Sequence, residues 1–330
     1  MYRTGKKFSK PSLSRVINGD VILSEKPEKQ SRIRLDHVLV RQYPEYNRNT
    51  LQTFIKLGFV LVNGQPALKP NTPLTKDSKV QLILPETLTN PKTKQQAAIK
   101  IKPPIIYEDE NVLVINKPAG LLSMAKRDYC LEPTLEDFGL LVHRLDRDTS
   151  GVVILAKNPA TQTFLRRQFQ DRKTYKTYYA IIEGRPKLDQ AHINLPIARN
   201  LKHPTTFVVE AGGKESKTDY QVFKTKKFSY QNILRLKQQL SETSTFSGDS
   251  FKEGRIYSLI ELKPTTGRTH QLRVHLKYLG TPIVGDRVYG SAKPDSDDRL
   301  YLHAKSLEIT IPEGDRRIFE APLPPEFSIF

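Results

Sequence analysis

The sequence has little sulfur: a single cysteine, Cys130, and two methionines in 330 residues. That excludes a disulfide framework and points to a reducing compartment, the cytoplasm. No apolar run approaches the roughly 18 residues that a membrane span needs. The amino terminus carries Arg3, Lys6, Lys7 and Lys10 but no apolar core, so it does not read as a secretory signal. A transit peptide is the alternative left open, although the acidic Asp20, Glu25 and Glu28 soon follow. Also missing are a Walker loop, a glycine fingerprint for dinucleotides and any tight cluster of His, Cys and carboxylates at metal-ligand spacing. No cofactor and no metal is therefore expected. No oligomer seam is visible, which makes a monomer the default.

What is abundant is positive charge. Lys and Arg number 53 against 35 Asp and Glu, a net +18, the balance of a protein that seeks a polyanion. The first hundred residues hold 18 basic and 7 acidic residues, so an excess of 11 sits in the first third of the chain. A chain of this length has ample material for one to three domains.

Residues 1–31 mix basic, serine and proline positions without sustained periodicity and read as a basic, mobile arm. From there the pattern changes. Ile33, Leu35, Val38, Leu39 and Val40 fit one helix face, and Leu51, Phe54, Ile55 and Leu57 fit a second, with Asn47 or Asn49 as its cap. Gly58 closes the second helix, Phe59 to Val62 forms a short strand, and Asn63-Gly64 is the strongest hairpin signal in the chain. Val80, Leu82 and Leu84 alternate as a further strand, completing a small unit over residues 32–88. Residues 89–103, proline- and lysine-bearing without an apolar stripe, form a linker.

A second domain over 104–330 opens with strands at Ile105 to Tyr107 and Val112 to Lys117. Ala160 to Asp171 is amphipathic, with Phe164, Leu165 and Phe169 inward. Tyr175 to Glu183, Thr218 to Phe223, Ile233 to Leu236 and Ile256 to Leu262 read as strands, Ser241 to Gly254 as a variable loop, and Thr269 to Leu279 as a helix with Leu272, Leu276 and Leu279 inward. Many strands and few helices make an α+β domain around a mixed, largely antiparallel sheet.

The chain is organised around His143-Arg144-Leu145-Asp146-Arg147-Asp148-Thr149-Ser150-Gly151, a dense polar loop between the apolar pair Leu141-Val142 and the apolar run Val152 to Ala156. Composition alone equally allows a salt-bridged surface turn, with His143 as a core histidine bonded to backbone. A serine nucleophile at Ser150 lacks the glycine two residues earlier that a nucleophile elbow needs. A metal-dependent hydrolase using His143, Asp146 and Asp148 is a weaker alternative.

The string His143-Arg144-Leu145-Asp146 followed by Asp148-Thr149-Ser150-Gly151 resembles the signature loop of the ribosomal large-subunit and tRNA pseudouridine synthases. Three further segments agree in order: Asn116-Lys117-Pro118-Ala119-Gly120-Leu121, Lys176-Thr177-Tyr178-Tyr179-Ala180, and Gly267-Arg268-Thr269-His270-Gln271-Leu272-Arg273-Val274-His275. Weaker echoes lie at Gly285-Asp286-Arg287-Val288-Tyr289-Gly290 and Leu302-His303-Ala304. The likeness covers roughly residues 104 to 325. It implies the pseudouridine synthase fold and an isomerase that extrudes a uridine from structured RNA, with Asp146 as the catalytic aspartate. Arg273 is then the cation facing Asp146, with Arg144 as a competitor, Tyr178 the stacking face, Tyr179 packing on the opposite face, and Leu302 a pocket wall.

Residues 32 to 88 resemble the RNA-binding domain named after ribosomal protein S-four, through Arg34-Leu35-Asp36, Arg48 and Gly58 to Gly64, with Asn47 where a serine is usual. That implies phosphate contacts from Arg32, Arg34, Arg41, Arg48, Lys56 and Lys69. The pairing points to large-subunit rRNA as the partner, with tRNA as the alternative and no membrane. A non-catalytic RNA-binding or ribosome-assembly factor on the same fold is the competing reading.

Overall fold

The computed structural model describes residues 15–17, 33–44, 46, 48–75, 77–84, 102–124, 134–243, 249–292 and 298–330. Arg32, Asn47, the side chain of Asn49 and most of the expected linker lie outside the described residues. What is described falls into two compact units, one within residues 15–84 and one formed by 102–124 and 134–330.

In the smaller unit, β1 (Arg15–Ile17), β6 (Val80–Leu84), β3 (Val60–Val62) and β4 (Gln65–Pro66) form one sheet in that order, and β2 (Ile33–Arg34) pairs with β5 (Pro73–Leu74). Asn63 and Gly64 take φ of 52° and 78°, the pair of positive values that a tight turn between β3 and β4 demands. Helices α1 (Leu35–Gln42) and α2 (Arg48–Lys56) bury Leu35, Leu39, Leu51, Phe54 and Ile55 against Val60, Leu82 and Leu84. The expected helix faces were drawn too long: Ile33 belongs to a strand, and Leu57 is exposed just beyond the end of α2. The expected arm differs too, because Arg15–Ile17 pairs antiparallel with Leu82–Leu84. Val16 and Ile17 suit a strand, and the edge of β6 offers unpaired backbone groups.

Asp36 is the buried polar point of this unit. Its carboxylate takes Arg34 through two contacts at 3.0 and 3.1 Å, Arg48 at 2.9 Å and Gln52 at 2.8 Å. Arg34 and Arg48, both expected on RNA, are thus tied to a carboxylate that would otherwise be buried alone. Arg41, Lys56 and Lys69 are exposed.

The larger unit holds a ten-stranded sheet among the described residues. Its strands in chain order are β7 (Ile105–Glu108), β8 (Val112–Lys117), β9 (Leu140–Leu141), β10 (Ser150–Ala156), β11 (Tyr175–Glu183), β12 (Gln190–Asn194), β15 (Lys217–Lys227), β16 (Ile256–Pro264), β17 (Leu302–Thr310) and β18 (Arg316–Glu320). A separate hairpin pairs β13 (Ile197–Arg199) with β14 (Phe207–Val209). The sheet order runs β12, β15, β16, β11, β17, β10, β8, β7, with β18 beside β17 and β9 beside β10. Only β10 and β17 run parallel, so the sheet is mixed and largely antiparallel, as expected.

Every residue of β10 is buried, which explains its unbroken apolar run. Gly151 sits where β10 meets β17 at φ 114°, and a Cβ there would lie 2.1 Å from the Ala304 carbonyl oxygen. The polar loop can therefore enter the sheet directly beside β17 only through a glycine. Three helices pack on the sheet: α3 (Pro159–Gln170), capped by the Asn158 side chain on the Thr161 N–H, α4 (Tyr230–Thr243) and α5 (Gln271–Tyr278).

Ile233 to Leu236, expected as a strand, lies inside α4. A short apolar stretch has no period of its own, and the helix runs on into the segment expected to be loop. Phe164 of α3 and Leu279 after α5 are exposed rather than inward, while Leu165, Leu272 and Leu276 are buried. Among the described residues, no helix is long and apolar enough to cross a membrane.

Burial works against the Asp36 charge, yet Arg48, Arg34 and Gln52 hold its carboxyl down to about 2. A depressed folded value stabilises the unit fully above the unfolded value near 4 and loses that contribution as pH falls toward 2. Asp36→Ala is expected to cost the small unit about 1–3 kcal/mol at neutral pH and to flatten its acid response between pH 4 and 2. Hydrogen exchange of the α1 and α2 amides in the full chain measures both, and unchanged protection would show that the arginines do not need the carboxylate.

Candidate active site

The polar loop that ends in β10 is clamped on both sides of Asp146. On one side Leu145 is buried: its N–H donates to Ser123 Oγ at 3.1 Å, and the Ser123 hydroxyl donates to its carbonyl at 2.7 Å. On the other, the Arg147 carbonyl accepts from Lys117 Nζ at 2.8 Å and from the Gly120 N–H at 2.9 Å. The fully buried Lys117 also donates to the carbonyls of Leu121 and Pro118, at 2.7 and 3.0 Å. Burial pushes its ammonium down to about 7. The segment Asn116 to Leu121 is thus the brace that holds the loop, a role its apolar and turn-forming residues do not announce.

Beneath the loop, Ser150 Oγ accepts from Arg299 and bonds His303 Nδ1 at 2.8 Å, and Arg299 donates to Glu326 Oε1 at 2.6 Å. Ser150 is a buried fastener here, not a nucleophile. His143 is a packed histidine: its Nε2 accepts from the Ile154 N–H at 3.2 Å and its ring stacks on Phe169 at 4.6 Å. Burial, aided by the charge of Lys176, pushes it down to about 3, so the ring is neutral with its proton on Nδ1. Among the described residues there is no group of three or more His, Cys, Asp or Glu able to hold a metal ion.

Asp146 opens onto a cavity of about 540 Å³ whose wall includes Arg144, Tyr178, Arg273 and Leu302. All five residues expected at the centre from the sequence meet in this one cavity. Arg273 Nη1 donates to Asp146 Oδ2 at 3.1 Å. The competing cation Arg144 is exposed at the cavity wall and donates to Met124 Sδ, at 3.9 Å.

What the sequence reading missed is the far side of Arg273. Its Nε and Nη2 grip Asp286 at 2.7 and 2.8 Å, and Asp286 Oδ1 also accepts the N–H groups of Val288 and Tyr289, each at 2.9 Å. Burial alone would raise the Asp286 carboxyl, but Arg273 and these amides hold it below the usual carboxylate range. Gly285 lets the chain reach this position: at φ 74°, a Cβ would come within 1.8 Å of the Arg299 carbonyl oxygen.

His270, at the left-handed φ of 56° before α5, stands with Nε2 3.8 Å from Asp146 Oδ2. Tyr289 Oη accepts the Phe207 N–H at 2.9 Å and bonds His270 Nδ1 at 2.8 Å, which orients the ring with Nε2 toward the carboxylate. Burial lowers His270 from its ordinary range. Tyr178 is pushed up by burial and by the Asp146 charge, so its phenol stays neutral. Tyr179 stacks on Phe223 at 5.5 Å, as strand alternation requires. Arg268 donates to the Glu215 carbonyl at 3.0 Å.

A cavity holding one accessible carboxylate, one guanidinium fixed against it and a neutral ring fits attack at, or charge stabilisation of, an electrophilic carbon. Residues 111–278 match the family model described as RNA pseudouridylate synthase, and residues 33–80 match that of the S4 domain. A protein of Aquifex aeolicus described as an uncharacterized RNA pseudouridine synthase is 35% identical over 272 residues, 78% of this chain and 77% of its own. The ribosomal large subunit pseudouridine synthase D of Borreliella burgdorferi is 34% identical over 322 residues, 92% of this chain and 90% of its own. The solved structure of human RNA Pseudouridylate Synthase Domain Containing 1 superposes with a TM-score of 0.52 at 28% identity, covering 67% of this chain and 83% of that one.

The two carboxylates on Arg273 should differ in what they do for stability. Asp286→Ala leaves a buried guanidinium half-paired and is expected to cost the larger unit about 3–5 kcal/mol. Asp146→Asn touches a carboxylate that is 21% exposed and should cost about 1 kcal/mol or less. Urea unfolding of both variants tests this, and equal costs would show that Asp146 is as structural as Asp286.

Proposed function

This chain belongs to the RNA pseudouridylate synthase family, whose members are isomerases, and on that premise we propose that it isomerises uridines in large-subunit ribosomal RNA, with Asp146 as the catalytic carboxylate. The reaction breaks the bond between uracil N1 and ribose C1′, turns the base and rejoins it through C5. A carboxylate serves as nucleophile at C1′ or as stabiliser of its oxocarbenium-like form. The observation that carries the assignment is the 3.1 Å contact of Arg273 Nη1 with Asp146 Oδ2 inside a cavity that also contains Tyr178.

In this reading, Arg273 aims the carboxylate at C1′ of a nucleotide flipped out of its RNA stack. Tyr178 offers a neutral ring on which the uracil stacks, and Leu302, 3% exposed, closes the wall. Arg144, exposed at the cavity wall, meets the nucleotide or its phosphate. Large-subunit rRNA is supported by the name of the Borreliella burgdorferi relative and by the basic first third of the chain. In the smaller unit, Arg41, Lys56 and Lys69 are the exposed cations proposed to follow the RNA backbone, with Arg34 and Arg48 contributing what their bonds to Asp36 leave free. The reading has the chain working as a monomer in the cytoplasm, in keeping with its single cysteine.

Asp146→Asn is expected to reduce tritium release from RNA labelled at C5 of uridine by at least about 1,000-fold, with RNA affinity within a few-fold. Turnover at the parental rate would remove Asp146 from the chemistry. Replacing Arg41, Lys56 and Lys69 together by glutamine should lower the slope of log affinity against log salt by about 2, since each phosphate contact releases counterion. An identical slope would take these cations off the RNA.

A further inference from the structure

The same cavity contains a cation that has no counter-ion among the described residues. Lys176 lies two residues before Tyr178 on β11, and both side chains line the cavity. On a strand that spacing is about 6.6 Å, close to the span of a pyrimidine ring with its exocyclic oxygens. Arg273 is matched by Asp286 and Asp146, and Arg172 by Glu215 at 2.8 Å. Among the described residues, no carboxylate lies within salt-bridge reach of Lys176. Its ammonium is nevertheless partly enclosed, close enough to His143 to lower that ring's proton affinity. Keeping a partly desolvated cation unpaired is costly unless an occupant supplies the negative charge.

We propose that Lys176 is a catalytic residue that donates a hydrogen bond to a carbonyl oxygen of the flipped uracil and stabilises the base as it leaves ribose. The proposal rests on the reading of this cavity as the uridine site. When the N1–C1′ bond breaks, its electron pair departs with the base, giving an anion shared between N1, O2 and O4. C1′ becomes electron-poor and is met by the Asp146 carboxylate. After the base turns, C5 supplies the pair that forms the new bond to C1′, Asp146 is released, and the proton lost from C5 is balanced by one gained at N1. Lys176 remains an ammonium throughout and consumes no co-reactant.

The depth of the side chain favours the base over the RNA backbone. Arg144 and Arg172 are exposed at the cavity wall, whereas Lys176 is half-buried, its ammonium near the packed ring of His143. An ammonium aimed at charge that develops only as the bond breaks acts on turnover rather than on binding.

The groups around Lys176 allow a pH test. Facing the cavity are His143, Arg144 and Asp146 from the loop, Arg172 after α3, Tyr178 on the same strand, and Arg268, His270 and Arg273 opposite. Burial holds His143 and His270 low and Tyr178 high, whereas burial brings Lys176 down to about 8. Turnover is therefore expected to fall as pH rises through about 8, as the ammonium loses its proton. Lys117, braced outside the cavity, also titrates near neutrality, at about 7, so an arginine variant at 176 is the control.

The experiment follows tritium release from RNA labelled at C5 of uridine, using the full chain, Lys176→Met and Lys176→Arg. Lys176→Met is expected to lower kcat by about 10²–10³-fold with KM within about threefold. Lys176→Arg should recover part of that rate and hold it to pH 9.5, where the parental enzyme has declined. A loss confined to KM with a shallower salt dependence would make Lys176 a phosphate contact and overturn the proposal. So would a parental kcat in Lys176→Met, or a fall near pH 8 that persists in Lys176→Arg. Should Lys176→Met not fold, the pH profiles of the other two proteins decide alone. No release by the parental chain, on cellular RNA from a strain lacking its gene, would instead sink the uridine-site reading itself.

Discussion

One guanidinium held between two carboxylates organises the larger unit. Arg273 gives a two-pronged grip to the buried Asp286 and a single contact to the partly open Asp146. Burial would weaken its charge, but the two carboxylates hold it above even its ordinary range, so it stays a cation under all working conditions. The asymmetry matters. Asp286 is saturated by Arg273 and two backbone amides, so it can only support. Asp146, 21% exposed on its side chain, keeps lone pairs facing the cavity. One ion pair fixes the fold of the late motif and the other presents an oxygen to a substrate, and a planar fork with fixed geometry can serve both at once.

The loop that carries Asp146 has to be as rigid as its partner. Lys117 and Gly120 fasten the Arg147 carbonyl, Ser123 fastens both backbone groups of Leu145, and Arg299 with His303 fastens Ser150. These contacts bring residues from far along the chain, Ser123 and Arg299 among them, onto a single short loop. Such pre-organisation keeps the carboxylate in place before substrate arrives, which is where electrostatic catalysis gains most. The histidines divide by position, and His143 is the core histidine bonded to backbone that the sequence allowed. His143, first in the signature, is neutral and packed on Phe169, while His270 of the later motif reaches within 3.8 Å of Asp146.

Much of the fold was legible because its elements carry their own period or turn chemistry. β10 reads as a buried strand from an unbroken apolar run, β11 matches the stretch from Tyr175 to Glu183, and Asn63-Gly64 marks its hairpin through two positive φ values. The failures share a cause. Ile233 to Leu236 has no local period that separates strand from helix, and Phe164 and Leu279 show their apolar character without showing whether a neighbour covers them. Arg15–Ile17 pairs with β6 only because an edge is available across more than sixty intervening residues. Arg34 and Arg48 look like free cations until Asp36 is seen between them.

The sequence by itself determined the family resemblance, the α+β class and the candidates Asp146, Tyr178, Arg273, Arg144 and Leu302, because contiguous motifs carry residue identity and spacing. Tertiary structure alone decided what holds Arg273 from behind, how both neighbours of Asp146 are fastened, and that the cavity's Lys176 has no counter-ion among the described residues. Those are matters of distance between segments remote along the chain, such as the 127 residues that separate Asp146 from Arg273. An ion pair is defined by a few ångströms, and no local pattern of residues encodes that distance.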